Sequence, residues 1–269
     1  MIKLLSILGK MLLIFLAVVL TENAANAEKP KLRIATVELW RPFSGPKLLN
    51  QGFLTEMNVA ILKRAGYDSE VFFYPWVRAF QMAKRGTDQV LLGGNFRKER
   101  TEWFIFSKAY LADETVIVTQ KGKDTKFTSL EALAPATIGA HTGSKWAAIL
   151  EKIPGFKLET VISGDQNVKK VAWGRLDYCI LERSGVNLKL NTNLRDLKDK
   201  LEIMHPPVEH SLLYTMFSKK MPDYEKVNED FNKALAAMLA DGSLEKILKK
   251  HGVNFTLDEG VYILDFFQN

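Results

Sequence analysis

Between Leu32 and Gly252 the chain runs twice through an alternation of strand-like and helix-like segments, which restricts it to α/β folds with a parallel sheet covered by helices. LRIATV (Leu32 to Val37) is a short apolar, β-branched run. FLTEMNVAILKRAG (Phe53 to Gly66) places Met57, Ala60, Ile61 and Ala65 at helical spacing and ends in glycine. EVFFY (Glu70 to Tyr74) is a strand. Pro75 then opens a helix, WVRAFQMAKRG (Trp76 to Gly86), where its fixed φ suits the first turn. QVLLGG (Gln89 to Gly94) closes a β-α-β-α-β unit.

A second alternation follows. ATIGA (Ala136 to Ala140), LETVI (Leu158 to Ile162) and DYCILE (Asp177 to Glu182) are strands, separated by helices over Ser144 to Ile153 and Asp165 to Gly174. Two extended stretches, ETVIVTQKG (Glu114 to Gly122) and EHSLLYTMFS (Glu209 to Ser218), lead out of the first unit and back into it. Two amphipathic helices, Asp223 to Gly242 and Ser243 to Gly252, each end in glycine. The second unit is thus inserted into the first: 28–116 and 212–269 form one lobe, 117–211 the other. The apolar tail, NFTLDEGVYILDFFQN, docks as a strand or a helix.

The first 27 residues are a signal peptide. Lys3 and Lys10 supply positive charge, MLLIFLAVVL (Met11 to Leu20) is an apolar stretch, and Ala25-Asn26-Ala27 is a small-x-small cleavage pattern. The apolar run is short for a membrane span, so a periplasmic protein beginning near Glu28 is expected. With 47% hydrophobic and 25% charged residues the chain is globular, and the net charge of +6 is scattered, which argues against nucleic-acid binding. Cys179 is alone, so the chain has no internal disulfide, and its apolar strand context fits a buried, inert thiol. His141, His205, His210 and His251 lack metal-ligand spacing. No cofactor or metal is expected, and the chain reads as a monomer.

The stretch GGNFRKERTEWFIFSKAY (Gly93 to Tyr110) sets basic residues between a buried strand and an aromatic run. Arg97, Lys98 and Arg100 are either an ordinary solvated turn or include a residue that faces a pocket.

The order and spacing of several motifs resemble the family 3 extracellular solute-binding proteins, the periplasmic receptors of polar amino-acid ABC transporters. The motifs are Pro42-Phe43 after the first strand, Gly52-Phe53 at the first helix, Gly86-Thr87-Asp88 before a strand ending at Gly93, and Arg97 to Arg100 followed by Phe106-Ser107-Lys108-Ala109-Tyr110. In the second unit they are Gly143-Ser144-Lys145, Gly174-Arg175-Leu176-Asp177 through Glu182, and Asp241-Gly242 through Ile247 and Gly252. The resemblance implies a two-lobe periplasmic-binding-protein fold of type II, with two hinge crossings and a small ligand, an amino acid or related carboxylate, held between the lobes. An inner-membrane ABC permease would read the closed form.

By this resemblance Arg100 captures the ligand carboxylate, for which a guanidinium offers two parallel donors. The helix start at Thr142-Gly143-Ser144-Lys145 adds backbone N–H groups, and Ser144 adds its hydroxyl or is a plain N-cap. The backbone of Gly93 and Asn95 faces the ammonium. Glu182 supplies the negative charge, or pairs with Arg183 or Lys189 at the surface. Trp40 stacks on the ligand with Phe43 close by. Trp76, Tyr110 and Arg78 are weaker candidates, the first two more readily core residues. Arg97 stands where the family usually has threonine, and a second cation there would favour an acidic ligand or fill the pocket differently. Two other readings stay open: a dehydratase resembling the cyclohexadienyl dehydratases, with Glu182 or His141 as proton donor, and a receptor that signals to a sensor without transport.

Overall fold

Strand alternation sorts apolar side chains to the two faces of the first sheet in the computed structural model, which describes residues 31–264. The expected signal peptide, 1–27, lies outside the described residues. β1 (Leu32–Val37) pairs in parallel with β2 (Ser69–Tyr74) along its whole length, and on its other side with β3 (Val90–Gly94). Successive side chains of a strand point to opposite faces. Ile34, Val90 and Leu92 therefore join one buried cluster, and Ala35 and Leu91 another. Helix α1 (Phe53–Arg64) covers the first face with Phe53, Leu54, Met57, Ile61 and Leu62. Helix α2 (Trp76–Arg85) covers the second with the i, i+4 pair Ala79 and Ala83. The basic cluster forms a 3-10 turn, Lys98–Glu102, followed by the short strand β4 (Phe104–Phe106).

β5 (Leu111–Gln120) carries the chain into the second sheet. There β6 (Ala136–His141) lies between β7 (Phe156–Val161) and β8 (Tyr178–Glu182), parallel to both. Helices α3 (Lys145–Leu150), α4 (Gly164–Ala172) and α5 (Arg183–Asn191) complete this part, with β9 (Leu201–Ile203) against the far end of β5. β10 (Glu209–Ser218) returns, and α6 (Tyr224–Ala240) and α7 (Ser243–Lys250) pack on the first sheet's α1 face. The strand order is β2-β1-β3-β10-β5-β8-β6-β7.

The two crossing strands exchange partners midway. Residues 209–213 of β10 pair antiparallel with residues 111–115 of β5. Beyond that stretch β10 pairs with β3, and β5 with β8. Two large buried clusters contain only residues from 116 to 208, and the other two lack them. The molecule is a two-lobed α/β protein joined through a pair of hinge strands.

Two segments go beyond the sequence reading. α5 is helical although RSGVNLKLN contains glycine and two asparagines, weak helix formers. Burial of Val186 and Leu190 in the second lobe's core supplies what propensity does not. The tail forms a hairpin, β11 (Phe255–Asp258) with β12 (Val261–Leu264), and β12 adds in parallel to β5 at Leu111 and Ala112. Tyr262 anchors it: the ring is 1% exposed and stands edge-on to Phe255, and its N–H donates to the Tyr110 carbonyl at 3.0 Å. Tyr262→Ala is expected to cost roughly 3–5 kcal/mol, the range for emptying a buried aromatic site, read as a lowered midpoint in urea unfolding.

Candidate functional site

The crossing strands place side chains of one face at the bottom of a cleft between the lobes. Asp113 and Thr115 of β5 and Ser211 and Leu213 of β10 line it. The space in the cleft is about 130 Å³, close to the roughly 150 Å³ that accommodates a benzene-sized molecule, so it suits a small solute rather than a peptide chain.

Arg100 enters this cleft from the 3-10 turn. It is 8% exposed, one Nη1–H donates to the Asn95 carbonyl at 2.9 Å, and its guanidinium lies 5.4 Å from the Trp76 ring centre and 5.5 Å from that of Phe80. Burial lowers its pKa to about 10, Arg97 adds repulsion, and Glu99 opposes both. The group thus stays charged near neutral pH. Among the described residues it has no carboxylate partner. The solvated-turn alternative does not hold for this side chain.

Glu182 lines the cleft from the end of β8 and makes no hydrogen bond or ion pair among the described residues. The surface pairings considered for it are taken elsewhere: Arg183 pairs with Glu114, and Lys189 lies 3.6 Å from Asp165. Burial lowers the Lys189 pKa, against the pull of Asp165 and Glu182.

Trp40 lines the cleft and stacks on Phe43, with ring centres 4.4 Å apart and 12° between planes. Phe43 itself is fully buried in the first lobe's core. The expectation that it touches ligand is corrected: it backs Trp40. Gly93 has φ +69°, and a Cβ there would stand 2.3 Å from Trp40 Cζ3, so only glycine seats the ring this way. The Asn95 carbonyl, expected to face an ammonium, instead accepts from Arg100, and the Asn95 amide donates to the Leu212 carbonyl.

On the second lobe, Ser144 lines the cleft and caps α3, its Oγ accepting from Ala147 N at 3.1 Å. That helix has only six residues, too few for a strong dipole. Lys145 is paired with Glu209. Gly143 is not a lining residue. A Cβ on it would come within 2.4 Å of Val77 Cγ2, so its smallness lets the two lobes approach. Arg97 is also outside the lining. Its Nη2 is buried without a hydrogen-bond partner, and burial lowers its pKa against the attraction of Glu99 and Glu209. It acts on the site through repulsion of Arg100, not as a second ligand-facing cation. Trp76 lines the cleft, whereas Tyr110 is core, bonded to Asn58 and Thr215, with its hydroxyl pushed up to about 12 by burial. Arg78 is exposed and its guanidinium lies 5.2 Å from the Tyr74 ring centre. Both ring nitrogens of His141 face backbone carbonyls, of Thr142 and Ile162, which leaves neither directed at a ligand. Cys179 is fully buried, which raises its pKa and suppresses the thiolate.

Sequence reasoning missed Asp113. Its carboxylate is 2% exposed. It accepts from the N–H of Glu114 at 2.7 Å, the N–H of Ser184 at 3.3 Å, and the Ser184 hydroxyl. Burial raises its pKa from 3.8 to about 7, the Ser184 hydroxyl opposes this, and nearby Glu182 adds to it. The available signal was an aspartate two residues before Thr115 in the crossing strand LADETVIVTQ, hence on the same face of that strand.

A cleft between two α/β lobes, floored by paired hinge strands and holding a buried, unpaired guanidinium, defines a two-lobed solute-binding protein of the type II class. The chain belongs to the bacterial extracellular solute-binding proteins, family 3, whose model matches residues 32–254. It is 28% identical over 237 residues to the arginine-binding extracellular protein ArtP of Bacillus subtilis, covering 86% of this chain and 89% of that one. It is 29% identical over 212 residues to the putative amino-acid ABC transporter-binding protein PatH of Vibrio harveyi, covering 77% and 82%. In structure it is similar to an ancestral arginine-binding protein bound to arginine, with TM-score 0.71, 24% identity, and 82% and 97% of the two chains covered. These relatives are binding proteins rather than enzymes.

Because Asp113 titrates at about 7 when folded and near 3.8 when unfolded, the folded state holds the extra proton between those values, and stability falls as pH rises through that window. Asn mimics the protonated acid. Asp113→Asn is therefore expected to raise the melting temperature, with a gain that grows from about pH 4 to about pH 7 and then levels off. Parallel thermal melts of the two ligand-free proteins across that range check it.

Proposed function

We propose that this protein is a periplasmic receptor that captures a small amino-acid-like ligand between its lobes and delivers it to an ABC permease of the inner membrane. The buried Arg100 guanidinium, without a carboxylate partner, carries this reading. Burying a charge is costly unless an opposite charge meets it, and a ligand carboxylate in bidentate contact meets this one. Glu182, also unpaired, answers the ligand ammonium across the same cleft. Trp40 covers the apolar stem, and the Ser144 hydroxyl adds a donor from the second lobe. The names of ArtP and PatH support an amino-acid ligand and a transport role.

In this reading the chain is exported by residues 1–27 and acts as a monomer. The lobes comprise 28–116 with 212–269, and 117–211, and rotate about the crossing strands. Closure brings Arg100 and Glu182 to the ligand together, so the closed form is stabilised by contacts that only a bound ligand supplies.

A ligand at 100 times its Kd stabilises by about 2.7 kcal/mol, which raises the melting temperature of a chain this size by roughly 5–10 °C. In a thermal-shift screen against amino acids, small peptides, polyamines and organic acids, at least one amino acid is expected to produce such a shift. Arg100→Ala is expected to abolish it while the ligand-free protein still melts cooperatively. An unchanged shift in the variant would remove Arg100 from the site.

A further inference from the structure

The cleft is lined by five charged side chains apart from its histidine: Arg100, Lys145, Lys189, Asp113 and Glu182. Both lysines already have carboxylate partners outside the lining, Glu209 and Asp165. Arg183, which adjoins Glu182, is held by Glu114. One guanidinium is left facing two carboxyl groups. An amino acid with an uncharged side chain brings one anion and one cation, which match Arg100 and Glu182 and leave Asp113 unanswered.

The bonding of Asp113 sharpens the imbalance. All of its contacts are donors: two N–H groups on Oδ1 and the Ser184 hydroxyl on Oδ2. A carboxylate offers about four lone-pair positions, so the three donors leave one open, on Oδ2 of a residue that lines the cleft. These three donors favour the anion while burial opposes it, and a further cationic donor would tip the balance towards the anion.

Strand register fixes where that donor must come from. Glu182 stands opposite Thr115, and Asp113 is two residues along β5 on the same face. Such diagonal neighbours lie roughly 7–8 Å apart, a separation that the stem of a long basic side chain spans. The aromatic faces of Trp40 and Trp76 line the same cleft and attract a cation as readily as an apolar stem.

We propose that Asp113 is the specificity-determining residue of this cleft: Glu182 holds the ligand's α-ammonium, Asp113 receives a second cation on its side chain, and the site selects basic amino acids over uncharged ones. This rests on the amino-acid reading given above.

The test is calorimetric titration of the purified protein with two pairs matched in shape, arginine with citrulline and lysine with norleucine. Loss of a charge-assisted contact is expected to weaken the uncharged member of at least one pair by roughly tenfold or more. In Asp113→Asn that ratio is expected to collapse towards one, chiefly through weaker binding of the cation. Equal binding within both pairs, or a ratio unchanged in Asp113→Asn, overturns the assignment of Asp113 and leaves the receptor reading standing. If none of the four binds but glutamine or glutamate does, the basic-ligand assignment alone falls. If no amino acid binds, the receptor reading falls with it. Should the variant not fold by near-ultraviolet circular dichroism, the wild-type ratios decide.

Discussion

The antiparallel pairing of residues 111–115 with residues 209–213 is the constraint on which the rest of the molecule depends. The pair is the bridge between two cores that share no residue, and it is also the floor of the cleft. Its period of two forces the second role: once the crossing strands bury one face, every second residue, Asp113, Thr115, Ser211 and Leu213, is delivered to the ligand side. The Thr115 and Ser211 hydroxyls meet at 3.0 Å across the pair, so the floor is internally bonded apart from the one open position on Asp113. A bend of these strands moves lobes and floor together, which makes the hinge part of the recognition surface.

Much of the fold was legible because it follows from local pattern. The crossing strand Glu209–Ser218 and the first strand Leu32–Val37 were readable to the residue, the former as an extended apolar and aromatic stretch and the latter as a short β-branched run. α5 was not legible, because its helicity comes from burial of Val186 and Leu190 rather than from propensity. The tail hairpin was undecided for a related reason: VYIL is apolar in any conformation, and only the free edge at Leu111 and Ala112 makes it a strand. In the site, Arg100 stood out by its place in a known motif, and Glu182 likewise. Phe43 was included because it stands close to Trp40 in sequence, and Arg97 because it holds a motif position where the family usually has threonine; neither lines the cleft. The Phe43 ring lies in the core against Trp40, and Arg97 is half-buried outside the lining. Asp113 was invisible because a charged residue in a strand acquires meaning only when the hinge geometry places it.

Charge burial explains why the cleft is organised as it is. Each lysine in the lining carries its own carboxylate, so neither demands anything from a ligand. Arg100 and Glu182 do, and they sit on different lobes. In the proposed clamshell cycle water satisfies them in the open form; on closure that water is lost, and the cost of desolvation falls on both unless a ligand brings the complementary charges. Arg97 heightens this on the first lobe by repelling Arg100, which makes an incoming carboxylate worth more there. On that proposal, the same charges that make the empty closed form unfavourable make the liganded one selective.

The C-terminal hairpin adds a mechanical element beyond the span matched by the family model, which ends at residue 254. It clamps β5 at Leu111 and Ala112, immediately before Asp113, and is held by Tyr262 in the first lobe's core. The first-lobe end of β5 is therefore fixed on both edges, by β10 and by β12, while its other end travels with the second lobe. Rotation between lobes is pushed towards the residues just beyond the clamp, Asp113 to Thr115. That is where the open carboxylate position lies, so the rigidity of the tail and the chemistry of the floor act on the same three residues.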